Sequence, residues 1–338
     1  MNHRHFPTVL TLLFAAAPAF AQDHDLKIAA KKDSTVWLLQ ETKNEQSIEM
    51  MGQQMESGQN ITHTLRVTVK DIDDKGNFVV ETTIARIHGA VTVPMMGDVD
   101  FDSLDGAAAA DEDEDDGGGM GMPSQGALKK GFTHGAGKSY TVKVSPKGKV
   151  VGNVAGVDEI AEGADNPMGP SMDEGMLHRM VESAFATLPE KPIAVGGKWN
   201  HESGESGTRM PMQAKLELTL VKVDDESYEI GAAGTIDAAK ADDKGADAKS
   251  DEGDEDNPMA EMMKNMKVKN GKITGTTRLS RADGFVIESK SVTSMDIEME
   301  GEMSMSISTK MTTTTKRTTE AAALPKAAKK EAATEGGK

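Results

Sequence analysis

The chain has 338 residues, a formal net charge of −17, 4% aromatic residues and no cysteine. A field of that sign disfavours nucleic acid and anionic membrane surfaces as partners, and the lack of cysteine excludes disulfides, thiolate metal sites, a cysteine nucleophile and a lipid-modified N-terminal cysteine. Methionine, at 23 residues against 8 Phe and 2 Trp, takes core positions that rings would otherwise fill, and its flexible thioether packs irregular interiors while specifying them weakly.

The first 21 residues have the layout of a secretory leader: Arg4, an apolar run from Val9 to Ala17, and the small-residue site Ala19-Phe20-Ala21. The apolar run is shorter than the roughly 20 residues a membrane span needs. The expectation is cleavage after Ala21 and a soluble periplasmic or secreted product that does not span a membrane.

From Trp37 onward the pattern is extended. Leu65, Val67 and Val69 alternate, Asp73-Asp74-Lys75-Gly76-Asn77 is a turn cluster, and Phe78, Val80, Thr82 and Ile84 resume the alternation, which reads as an antiparallel meander. Residues 105–126 are acidic, Gly/Ala-rich and aperiodic, so they are expected to be disordered. Strands return at Tyr140, Val142 and Val144, with a turn at Ser145-Pro146-Lys147-Gly148. One helix is predicted at about 171–188, opened by a Ser171/Glu174 capping box, carrying Met172, Met176, Leu177, Met180 and Ala184 on one face, and stopped by Pro189. Trp199 follows the Gly196-Gly197 pair and is expected to be buried as the anchor where the chain returns from the helix to the sheet. More strands follow at Leu216 to Leu220 and at Tyr228 and Ile230, then a second acidic insertion at 240–257. A flexible tail is expected at 320–338.

Met295 to Met311 alternates strictly, with Met295, Ile297, Met299, Met303, Met305 and Ile307 on one face and Asp, Glu, Ser and Lys on the other. Parity favours a hairpin with a three-residue loop at Glu300 to Glu302, pairing Met299 with Met303 and Ile297 with Met305. There is also an internal echo: Leu65, Val67, Thr68, Val69, Ile72, Asp73 and Asp74 match Leu216, Leu218, Thr219, Leu220, Val223, Asp224 and Asp225 at a constant offset of 151. Chance similarity of amphipathic strands is the alternative reading.

Gln46-Ser47-Ile48-Glu49-Met50, the stretch from Leu188-Pro189-Glu190-Lys191-Pro192 to Trp199, and the closing Met299-x-Gly301-x-Met303-x-Met305 together resemble a family of exported bacterial proteins catalogued only as a domain of unknown function. The resemblance covers most of the chain outside the acidic insertions and implies no activity.

Candidate chemistry is sparse. Phe132 to Ser139 ends in Gly-Lys-Ser, but Phe132 stands where a phosphate loop needs glycine, and a strand follows where that loop needs a helix. His201-Glu202 lacks a second histidine at helical spacing, and Gly204 and Gly207 would spoil the helix. The runs Asp98-Asp100-Asp102 and Asp71-Asp73-Gly76 fail the EF-hand spacing. The methionine clusters raise copper, since thioethers select Cu(I), but they sit at strand or helix spacing that means burial.

The expected architecture is therefore a mainly β single domain over 25–319 with two similar halves, built as a large antiparallel curved sheet or open barrel with one packed helix. The leading function is a non-catalytic binding protein holding a lipid or other apolar ligand, or a partner segment. Its ligand-facing residues would be Met295, Ile297, Met299, Met303, Met305 and Ile307 with Met172, Met176 and Met180. A structural or envelope-associated protein, with a protein partner in the cell envelope, is the second reading. A Met-rich copper or divalent-ion binder is the third. No cofactor, metal ligand or catalytic residue is expected.

Overall fold

The computed structural model describes residues 22–50, 52–94, 96–105, 124–161, 172, 174–204, 212–238, 266–299 and 304–324. Residues 1–21, read above as leader-like, the second acidic insertion, most of the first, Ser171, Met303 and the tail beyond Leu324 lie outside them. Alternation produces twelve strands: β1 Thr35–Met50, β2 Gln53–Ile72, β3 Phe78–Val93, β4 Gly97–Asp102, β5 Ser139–Val144, β6 Val150–Ala155, β7 Lys198–Gly204, β8 Met212–Val223, β9 Ser227–Ala238, β10 Met266–Ser280, β11 Val286–Met299 and β12 Met305–Thr318. They form one curved antiparallel sheet in the order β6-β5-β3-β2-β1-β12-β11-β10-β9-β8-β7, with β4 also paired to β3. The sheet is not closed into a barrel, so β6 and β7 are its edges.

Four short helices accompany it among the described residues: α1 Gln125–Thr133, α2 Val157–Ala161, α3 Glu174–Glu182 and α4 Glu320–Ala323. None is long and apolar enough to cross a membrane. Ser124 caps α1, whose Leu128 and Phe132 are buried and whose Phe132 stacks on Phe101 of β4 at 5.0 Å, so structure resumes two residues before the first insertion was expected to end. α3 is shorter than the 171–188 expected. After Glu182 the backbone tightens to bonds such as Ala184 N–H to the Val181 carbonyl, and the Ala184 carbonyl accepts the N–H of Val286 in β11. The helix thus ends where the sheet needs its carbonyl, well before Pro189. Trp199 is half-buried rather than buried, and its indole N–H donates to the Thr187 carbonyl at 3.0 Å. The tail begins with helix α4, which Thr319 caps.

The two halves, β1–β6 and β7–β12, lie side by side and repeat the same local devices at the offset read in the sequence. Asp73 Oδ1 accepts the N–H groups of Lys75 (3.0 Å) and Asn77 (2.9 Å), and Asp224 Oδ1 accepts those of Glu226 (3.1 Å) and Ser227 (2.6 Å). The pairing slips between Val69 and Asp71 in β2 and between Leu220 and Lys222 in β8. Val69 exchanges backbone hydrogen bonds with Asp33 and Ser34, and Leu220 does the same with Gly196 and Gly197.

Each half is preceded by an irregular strap, 22–34 or 183–197, and the straps cross between halves. Ala29 N–H donates to the Asp283 carbonyl in the β10–β11 turn (3.2 Å), Leu188 N–H donates to the Lys147 carbonyl in the β5–β6 turn (2.8 Å), and the two straps pair at His24 and Ile193. The approach is close enough to require glycine in both turns. A Cβ on Gly148 would lie 2.1 Å from the Ala186 carbonyl oxygen, and one on Gly284 would lie 2.6 Å from the Ile28 Cα; both have positive φ, 80° and 78°.

Gly148→Ala and Gly284→Ala should therefore each destabilise the fold by more than the roughly 1–3 kcal/mol of the backbone conformation alone. Gly152→Ala, with φ +80° and nothing within 4 Å, should show only that conformational cost. Chemical denaturation midpoints of the three variants check this; equal losses would mean that the straps yield freely.

Candidate ligand-binding cavity

Because β-strand side chains alternate, the register of the sheet fixes which residues share its covered face. At the turn end, Leu38, Leu65, Val67, Val80, Ile84 and Val142 join the main core, with Leu177, Met180, Val181 and Phe185 from α3 and its strap packed against them. At the far end, Met50, Met305, Met299 and Met266 lie in one row across β1, β12, β11 and β10, and Ile48, Ile307, Ile297 and Val268 form the next row. Apart from Met50, these join Met295 and Ile236 in a second, separate apolar cluster.

This arrangement corrects two expectations for the Met295 to Met311 stretch. Observed pairs are Met299 with Met305 and Ile297 with Ile307, so like parity is kept but the register is shifted by two residues. The shift follows from β1: Ile307 lies between Ile297 and Ile48, and Met305 between Met299 and Met50, so a third strand sets the register as well as the turn. Nor does the helix close over this face. Met172 is buried against Gly135 in the main core, and α3 stands over the turn end instead.

Between the clusters the face is polar. One row reads His63, Gln40, Thr315, Ser289 and Thr277 across β2, β1, β12, β11 and β10; the next includes Thr42, Thr313 and Ser291. These residues floor a cavity of about 490 Å³. Its flanking walls include Ile61 of β2 and Leu216, Leu218 and Ile230 of β8 and β9, and its roof is Met176, Met180, Ser183 and Phe185. Of the sequence-expected ligand-facing residues, Met176 and Met180 line this cavity; Met295, Ile297, Met299, Met305 and Ile307 do not, and Trp199 stands outside it. Sequence reasoning missed the floor. The signal was present in β1, where Gln40, Thr42, Asn44 and Gln46 interrupt the apolar face between Leu38 and Ile48.

Electrostatics at the cavity are set by burial. His63, 5% exposed, has its pKa lowered to about 4 by desolvation, with His88 adding repulsion. Burial pushes the Glu182 carboxyl up, with Arg179 opposing, and pulls the His201 imidazole down. The other weighed motifs are committed elsewhere. Lys138 Nζ bonds the ring of His134 (3.0 Å) and the Glu159 carbonyl (2.5 Å), and Ser139 bonds Thr83. Asp102 is paired with Arg86, Asp71 with Lys32, and His201 lies on strand β7. Among the described residues no three His, Asp or Glu side chains are grouped to hold a metal ion.

The fold and cavity define an open, single-sheet β protein with a partly roofed inner face. The chain belongs to the family of unknown function DUF6263, whose model matches residues 75–286. No curated protein matches it. Among solved structures, lipovitellin, described for its lipid–protein interactions, has 8% identity and a TM-score of 0.44 over 86% of this chain, which spans 25% of that one. DynF of the dynemicin pathway of Micromonospora chersina has 7% identity and a TM-score of 0.18, covering 90% of this chain and 92% of its own. No functional statement follows from likenesses at these scores.

Two outcomes test the placement. A histidine whose folded pKa lies below its unfolded value of about 6.5 stabilises the fold fully above that value and loses the contribution as pH falls toward the folded pKa. Stability should thus fall by about 3 kcal/mol between pH 6.5 and about 4 on account of His63, and the difference between wild type and His63→Gln across that window should isolate it from carboxylate titration. At the far cluster, Ile297→Asp places a charge among Met299, Ile307 and Val268 and should unfold or aggregate the protein. Glu298→Gln removes only an exposed pair with Lys269 and should change the melting temperature little.

Proposed function

We propose that this chain is a non-catalytic, exported binding protein that holds a ligand with an apolar body in the cavity between α3 and the sheet. The observation that carries the reading is the cavity itself: about 490 Å³, walled by Ile61, Leu216, Leu218, Ile230, Met176 and Phe185. Its size falls within the roughly 300–1,000 Å³ usual for small-molecule sites. A well-packed core leaves few voids larger than water, so a space of this size under a helix is the feature a purely structural sheet does not need. Export rests on the leader-like Arg4, Val9 to Ala17 and Ala19-Phe20-Ala21 pattern.

Natively purified protein should release a discrete organic compound on solvent extraction, detected by mass spectrometry, and the emptied protein should bind a neutral apolar fluorophore such as N-phenyl-1-naphthylamine. Leu218→Trp, which fills the wall, should abolish fluorophore binding while leaving a cooperative melt. Absence of both compound and fluorophore binding would leave a structural, envelope-associated role as the better account.

A further inference from the structure

We infer that the ligand is an uncharged amphiphile whose hydroxyl or carbonyl groups meet the row His63, Gln40, Thr315, Ser289 and Thr277. The inference rests on the cavity's being a ligand site and goes on to name the class of compound. Five polar residues stand in register on five adjacent strands, on the covered face, between two apolar clusters. Thr277 and Ser289 satisfy each other at 2.9 Å. His63 and Thr315 are only 5% and 2% exposed, and both line the cavity; the fully enclosed unpaired side-chain atoms among the described residues lie elsewhere, on Thr64, Thr82, His88 and His178. Valine has nearly the shape of threonine and buries without a polar group to satisfy, so packing alone does not account for Thr315, Thr313 and Thr42 along the cavity floor.

The chemistry of the row selects the ligand. Hydroxyls and the amide of Gln40 both donate and accept, and His63, held neutral by its burial, offers one donor and one acceptor. No residue of the row is charged at neutral pH, so a carboxylate or phosphate placed against it would lose its hydration without gaining a counter-charge. Arg179 is exposed on α3, on the roof rather than the floor. A purely hydrocarbon ligand would in turn leave the row unpaired. The fitting compound presents neutral oxygens to the floor and turns its apolar part to Met176, Met180 and Phe185.

The test is displacement of N-phenyl-1-naphthylamine from the full chain by monoolein, by oleate and by hexadecane at neutral pH. Monoolein should compete about tenfold better than oleate, and better than the hydrocarbon. Thr315→Val and, independently, Ser291→Ala should weaken monoolein by about three- to tenfold, leaving the fluorophore's own affinity and the melting temperature nearly unchanged. Thr314→Val, on the opposite face, should change nothing. If the fluorophore binds but the competitors are equivalent, or if both variants leave monoolein unaffected, the row is merely solvated and the inference falls while the cavity reading stands. If the folded protein binds no fluorophore, both fall together.

Discussion

An open sheet has a core on one side only, and that core exists only if something fills its hollow. Here the filling is the reciprocal crossing of two straps, each leading into one half of the sheet and leaning on a turn that belongs to the other. The Leu188 to Lys147 and Ala29 to Asp283 bonds are single backbone contacts, but they hold α3 above the turn end and fix how far its roof reaches. Shape follows from that reach. Beneath the straps the side chains pack as an ordinary apolar core; beyond them the floor is left to water or to a ligand; at the far end methionine and isoleucine close on themselves.

The polar band also explains why methionine is so common. Among the described residues no helix lies over the far cluster and it holds no aromatic residue, so its side chains cover one another across strands. An unbranched thioether reaches sideways along a pleated surface more easily than leucine does. The rows of Met50, Met305, Met299 and Met266 and of Ile48, Ile307, Ile297 and Val268 are such a lateral seal. Their opposite face carries the exposed pair of Lys269 with Glu298, which keeps that side wet without adding much stability.

Much of the fold was legible because alternation has a single structural meaning when it persists over ten or more residues. The turn chemistry at Asp73 was equally plain, and Asp73 Oδ1 does accept the N–H groups of Lys75 and Asn77. Legibility ended where meaning depends on a third element. The hairpin after Met299 could be assigned its parity but not its register, since β1 shares in that choice. The end of α3 depends on Val286, more than a hundred residues away, taking the Ala184 carbonyl. The floor of the cavity was hidden for the same reason: a threonine in a strand is ordinary until the register shows it facing inward beside Gln40 and His63.

One consequence concerns how the chain reaches this state. β1 pairs with β12, Trp37 lying opposite Thr318, so the middle of the sheet is joined from the two ends of the domain. During synthesis each meander can assemble from neighbours, but β1, sixteen residues long, has no partner on one side until β12 has emerged. Pairings so distant in sequence are slow to find, and a long bare edge recruits other chains. The central ladder is thus the last large piece of structure to close, and the interval before it closes is when this protein most needs to be kept apart from its own copies.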